Sequence, residues 1–410
     1  MTGPASCPVI GGGKGWRFGA TPVLRLCGVA LLTTGLSSIT TAQSGWPPSP
    51  SAQWNPARTP VWMHTDRNEG LPAVDDAAVY TLSAGHTLVK RALSDGRELW
   101  RQSTGETDNT YGYRLAVAHS RVLTGEWDLA AFDADTGRHR WTFRPSEGEG
   151  YGQYMGAIDR DLVLAGSRSG HAAAVHITDG RTRWLRTVVA DRESIVRPPV
   201  VDGSDVIAAY SITRTPWRGG VVSLNLADGR EQWRFVYPGA PDRDTSATGH
   251  AVITDRLVFV ASQTGEVYAL DRTTGALQWT IPPAVDPANT RHPQHEHDYR
   301  TLALHKQILG ITSFSGQVVG VDIETRREVW RFDGRVLGSG GYELVPGHGS
   351  FYAPFFTGYL AAIDAETGVL HWQTHDPALG FHRGPVVVGP DLVIAGASGT
   401  WRLPSQPPQP

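Results

Sequence analysis

Cysteine is almost missing from this chain. There are two in 410 residues, Cys7 and Cys27, and both lie within the first 42. Beyond residue 42 the chain can therefore build no disulfide, no thiolate metal site and no cysteine nucleophile. Long apolar runs are missing too. The one candidate, "LCGVALLTTGL" (26–36), is too short to span a bilayer comfortably. After it, no stretch keeps a sustained helical period, which removes helical bundles and doubly wound α/β folds. There is no Gly-x-Ser-x-Gly elbow, no phosphate loop and no His-Glu-x-x-His helix. With 19 % charged and 40 % hydrophobic residues the composition is that of a globular protein, not a disordered one.

The first 42 residues read as a secretory signal peptide. Lys14, Arg17 and Arg25 form a positive n-region before the apolar core, and Thr40 and Ala42 suit a cut before Gln43. An uncleaved anchor is the alternative. The leader holds those three basic residues and no acidic one, so its removal takes 37 basic residues to 34 against 40 acidic, and the formal charge from −3 to −6. An acidic mature chain lacks the basic footprint of a nucleic-acid binder. Residues 43–59 are Pro- and Ser-rich and read as a flexible lead-in.

What the chain has in quantity is a repeated phrase. "AFDADTGRHRW" (131–141) returns as "ALDRTTGALQW" (269–279) and "AIDAETGVLHW" (362–372). The full set of copies closes on Trp100, Trp141, Trp184, Trp233, Trp279, Trp330 and Trp372, spaced 41, 43, 49, 46, 51 and 42 residues apart. Glycine stands four positions before six of these tryptophans; before Trp330 the residue is Arg326. Between tryptophans, short alternating runs are separated by Gly and Asp turns, the signature of hairpins. Each unit thus predicts a four-stranded antiparallel meander, the size of a propeller blade. The glycine supplies the positive φ of the turn. The small residue opening the phrase leaves room for packing, and the tryptophan fills the wedge between blades.

Two fragments supply an eighth unit. "PVWMHTD" (60–66) is an outer strand with Trp62 but no strands before it. "GPVVVGPDLVIAGASGTWRL" (384–403) has three inner strands and no outer one. Joined, they predict an all-β, eight-bladed β-propeller spanning 60–403, its ring closed by the N- and C-terminal strands, with a disordered tail over 404–410. Closure removes open sheet edges.

The "A-x-D-x-x-T-G-x-x-x-W" phrase resembles the tryptophan-docking repeat of quinoprotein-like propellers. That group includes pyrroloquinoline quinone (PQQ) dehydrogenases and the outer-membrane assembly lipoprotein BamB. The resemblance covers about 60–403 and is specific for the fold. It implies either a scaffold in the cell envelope or a PQQ- and calcium-dependent oxidoreductase. The mature chain lacks the adjacent-cysteine disulfide that many of those dehydrogenases carry, and it lacks the lipid-bearing cysteine expected of BamB.

Chemistry in a propeller gathers where the loops enter the innermost strands. Aligning the units places Glu69, Arg114, Tyr154, Arg197, His250, Arg300, Tyr342 or Glu343, and Arg383 at those entrances. Arg114, Arg197, Arg300 and Arg383 could clamp a carboxylate or phosphate of a partner or cofactor; the plainer alternative is that each rims a solvated channel beside its own carboxylate. In "RHPQHEHDYR" (291–300), His295, His297 and Asp298 have metal-binding side chains, but no separate third-ligand motif accompanies them, and no metal site is expected. Asp133, Asp271 and Asp364 sit in repeat turns and read as structural. The sequence therefore favours an exported, monomeric, non-enzymatic propeller. It would bind a protein or peptide partner, or another ligand, on its loop face, without a cofactor. A PQQ-dependent oxidoreductase is the alternative.

Overall fold

The computed structural model describes residues 60–405 except Glu69, Ala84, 105–112, 126–127, 145–152, Arg192, 240–244, 283–298, Tyr342, 376–383 and 397–398. At Tyr113, Gln153, Tyr154, Tyr299 and Arg300 it describes backbone only. The leader, the lead-in, the His295–His297–Asp298 cluster and Arg383 lie outside the described residues.

Eight sheets follow one another along the chain, antiparallel apart from one short two-residue strand. Blade three shows the pattern: Gln153–Asp159, Leu162–Ser167, His171–His176 and Thr182–Thr187 pair in sequence order. Its second strand is buried at every position. A strand with a blade on either side has no solvent face, so it reads as a continuous apolar run and not as an alternation. Outer strands are different. Thr182–Thr187 buries Trp184 and exposes most of the rest. Among the described residues the single helical element is the 3₁₀ turn Arg335–Leu337.

The phrase works as a dock between neighbours. Opposite the tryptophan stands a small residue of the same blade: Trp141 pairs with Ala131, Trp184 with Ala174, Trp330 with Gly320 and Trp372 with Ala362. The indole then reaches into the next blade. Trp100 lies against Gly137, where an added Cβ would sit 2.9 Å from the ring. That glycine has φ +71°, so the position demands glycine both for its backbone and for the approach of the ring. Among the described residues, six of the seven repeat tryptophans, all but Trp279, also donate the indole N–H to a carbonyl beyond their own blade; Trp141 donates to Ile177 at 2.9 Å, Trp184 to Leu226 at 2.8 Å and Trp330 to Ala365 at 3.0 Å. At the irregular copy, Arg326 takes the left-handed backbone itself at φ +60° and lays its guanidinium over Trp279, 5.9 Å from the ring centre.

Ring closure follows the predicted scheme. Trp62–His64 pairs antiparallel with Gly399–Pro404, which continues into Asp391–Gly396 and Val386–Val388. Buried Asn68 donates to Thr400 at 2.8 Å, and buried Arg91 of blade one forms an ion pair with Asp66. The C-terminal boundary differs from expectation. Pro404 belongs to the last strand, and Ser405 is buried with its carbonyl accepting the Trp372 indole N–H at 2.9 Å. Blade eight lacks the repeat phrase, so its dock is supplied by the residues just past the strand. The ring therefore extends two residues beyond the expected end at 403.

Candidate functional site

The entrances of the inner strands are shaped by proline. In blade one Gly70–Leu71 pairs in parallel with the inner strand of blade two, placing Leu71 beside Arg114. Pro72 follows, and Ala73–Val74 then pairs within blade one. In blade four, Ser194–Val196 and Val200–Asp202 both pair with Asp205–Ile212, and Arg197, Pro198 and Pro199 lie between them. Proline has no N–H for the ladder, so the strand breaks there and turns its flanking residues inward or sideways. Gly156 and Gly166 of blade three let this break approach closely: an added Cβ on either would collide with the backbone of Val196–Pro199.

Arg114 of blade two donates from Nη2 to Oε1 of Glu343, at the entrance to blade seven, over 2.9 Å. Blades two and seven are separated by blades one and eight on the shorter path, so this contact crosses the central space of the ring. Nε2 of His250, at the entrance to blade five, lies 3.8 Å from the same oxygen. Three blades thus meet on one carboxylate. The Glu343 side chain is 9 % exposed, against 32 % for Arg114 and 29 % for His250.

The four predicted arginines fare differently. Arg114 points into the shared opening but is engaged by Glu343. Arg197 turns sideways and donates from Nη2 to the carbonyl of Ala247 in blade five, at 3.1 Å. Its guanidinium is part of the seam between blades four and five, which the alignment of entrances did not anticipate. The side chains of Arg300 and Arg383 lie outside the described residues. Entrance alignment located Glu343 and His250, but gave no sign that they would converge with Arg114. Opposite charges at equivalent entrances of facing blades were the available signal.

The repeat-turn aspartates are structural, as expected. Oδ1 of Asp133 accepts from the Thr136 N–H at 2.9 Å and from its hydroxyl at 2.8 Å. Arg140 and then Thr136 hold this carboxyl well below its ordinary value. Thr274 does the same for Asp271 through its hydroxyl and backbone N–H. Among the described residues no group of three His, Cys, Asp or Glu side chains is placed to hold a metal ion. No described helix is long and apolar enough to cross a membrane.

Residues 12–214 and 218–398 match the family model of the outer membrane protein assembly factor BamB. The chain belongs to this family. BamB of Shewanella oneidensis is 22 % identical over 362 residues, which is 75 % of this chain and 88 % of that protein. Quinohemoprotein alcohol dehydrogenase of Comamonas testosteroni is 27 % identical over 214 residues, 49 % of this chain and 28 % of that protein. The crystal structure of BamB from Moraxella catarrhalis superposes with a TM-score of 0.53 at 20 % identity, over 72 % of this chain and 82 % of that one, a likeness of fold.

The dehydrogenase relative raises the question of PQQ, a tricarboxylate; among the described residues Arg114, the candidate arginine at the centre, already donates to the buried Glu343.

Proposed function

We propose that this BamB-family chain is a non-enzymatic scaffold of the cell envelope, taking part in outer-membrane protein assembly by binding a protein partner on its loop face. The observation that carries this reading is the Arg114–Glu343 contact across the ring, which fills the place where a propeller enzyme would hold substrate with a charge pair of its own. Family membership supports the same reading. So does the compactness of the blades, whose internal turns are short and whose repeated residues serve the inter-blade docks.

The test is site-specific photo-crosslinking in the native host. A crosslinker at Val336, 85 % exposed on the connection between blades six and seven, faces the loop side. One at Thr136, in a repeat turn, faces the opposite side. Capture from Val336 but not Thr136 of a protein identified by mass spectrometry as an outer-membrane assembly component is the expected result. Reduction of an electron-acceptor dye with alcohols or sugars, dependent on added PQQ and calcium, would overturn it in favour of an oxidoreductase.

A further inference from the structure

We propose that Arg114 and His250 form a receptor for an acidic peptide segment, and that Glu343 is its resident anion, a built-in competitor for the seat. The proposal rests on the scaffold reading and names the chemistry of the segment that enters the loop face.

The three side chains come from three separate blades, so their meeting is a product of the ring and not of local sequence. The carboxylate is the most buried of the three, while the Arg114 and His250 side chains keep about a third of their surface open. A ligand entering from solvent therefore meets Arg114 and His250 before Glu343. Among the described residues, the Nη2 contact with Glu343 is the one hydrogen bond of the Arg114 side chain. A guanidinium carries five N–H donors and prefers to bind a carboxylate through two of them. A single-point contact leaves the better bidentate geometry to an incoming carboxylate. Glu343 cannot be abandoned without cost, since a buried charge that loses its partner is destabilised. One free carboxylate is a poor competitor for that reason. A segment with several acidic side chains presents a second carboxylate to Arg114 and His250 whenever the first leaves, and such linked contacts gain from effective concentration.

The experiment uses the mature chain and a fluorescein-labelled hexaglutamate peptide, read by fluorescence anisotropy at low salt. Glu343→Gln keeps the shape and removes the competitor. It should bind the peptide at least about tenfold more tightly than wild type, the effect of one charge-assisted hydrogen bond. Adding Arg114→Gln to it should return binding to the wild-type level or below. Equal affinity of E343Q and wild type overturns the proposal, as does a double variant that binds like E343Q. Inorganic phosphate titrated against E343Q separates the ligand classes: binding as tight as the peptide's would show a small-anion seat and overturn the peptide assignment. If E343Q does not fold by circular dichroism, the wild-type chain carries the test, and Arg114→Gln alone must abolish its weaker peptide binding; unchanged binding overturns the proposal. Crosslinking from Val336 reports on the scaffold separately, so a partner captured there while E343Q ignores the peptide would sink this inference and leave the scaffold standing.

Discussion

The indole N–H of Trp62 donates to the carbonyl of Leu93 at 2.8 Å. Trp62 belongs to blade eight and Leu93 to blade one, so this bond joins the last blade to the first. It repeats, at the seam where the chain ends meet, the dock that the repeat phrase builds elsewhere. The carbonyl of Leu93 also accepts from Nη1 of Arg402 at 2.7 Å, and Nε of Arg402 donates to Asp391 at 2.7 Å within blade eight. Removing residues 60–66 deletes the strand, the dock and the Asp66 partner of buried Arg91 together. The truncated chain should lose cooperative unfolding or melt far below a chain that keeps residues 60–66. Trp62→Ala alone should cost about 3–5 kcal/mol, as for a large aromatic removed from a core. Urea unfolding followed by tryptophan fluorescence checks both, and identical midpoints would refute closure by the two ends.

The other end of the chain offers a finer test. Ser405 contributes its backbone carbonyl to the Trp372 indole. A chain ending at Leu403 keeps most of the last strand yet leaves that buried N–H without an acceptor, while one ending at Gln406 keeps the Ser405 peptide carbonyl. The shorter chain should be less stable by about 1–3 kcal/mol, the cost of a buried unsatisfied donor. Calorimetry of the two truncations measures the difference.

Gly137 tests the repeat itself. Its backbone lies at φ +71° and its missing side chain makes room for the Trp100 ring. Gly137→Ala should destabilise by about 1–2 kcal/mol from the left-handed backbone alone, with overpacking against the ring adding to it. Gly349, at φ +73° with nothing near an added Cβ, is the control: Gly349→Ala should carry the backbone penalty without the steric one. Equal losses at the two positions would show that ring contact contributes nothing.

These cases also show what the sequence reveals and what it hides. Blade number, the closing strand and the role of glycine were legible because each repeats, and repetition exposes a requirement that one copy would conceal. The partner of each indole was not legible. A hydrogen bond from Trp100 of blade one to Ala134 of blade two depends on how two sheets lie together, and no spacing within one unit encodes that. The same holds at the centre. Arg114 and Glu343 are 229 residues apart and meet only because the ring closes. Arg197 was misleading for a local reason: the Arg197-Pro198-Pro199 break turns its side chain to the neighbouring blade, while a regular strand would have kept the entrance geometry of Arg114.

The repeat turns should impose a pH dependence on stability. Asp133, Asp271 and Asp322 all have carboxyls held below the ordinary 3.8, chiefly by Arg140, by the Thr274 hydroxyl and by the Thr325 backbone N–H respectively. A carboxyl whose folded value is depressed binds protons more readily in the unfolded chain. Its stabilisation is therefore fully present above the unfolded value and is lost as the pH falls below it towards the folded one. The melting temperature should accordingly stay level, as far as these groups act, from neutral pH to about pH 5, then decline between about pH 4 and pH 2 as the turns lose their charge. Asp133→Asn keeps the turn acceptor while removing the titrating group. Its melting temperature should start lower than wild type at neutral pH, because the Arg140 ion pair is gone, and the gap should narrow steadily as the pH falls below about 4. A constant gap between the two curves across the whole range would show that the Asp133 charge plays no part in holding the turn.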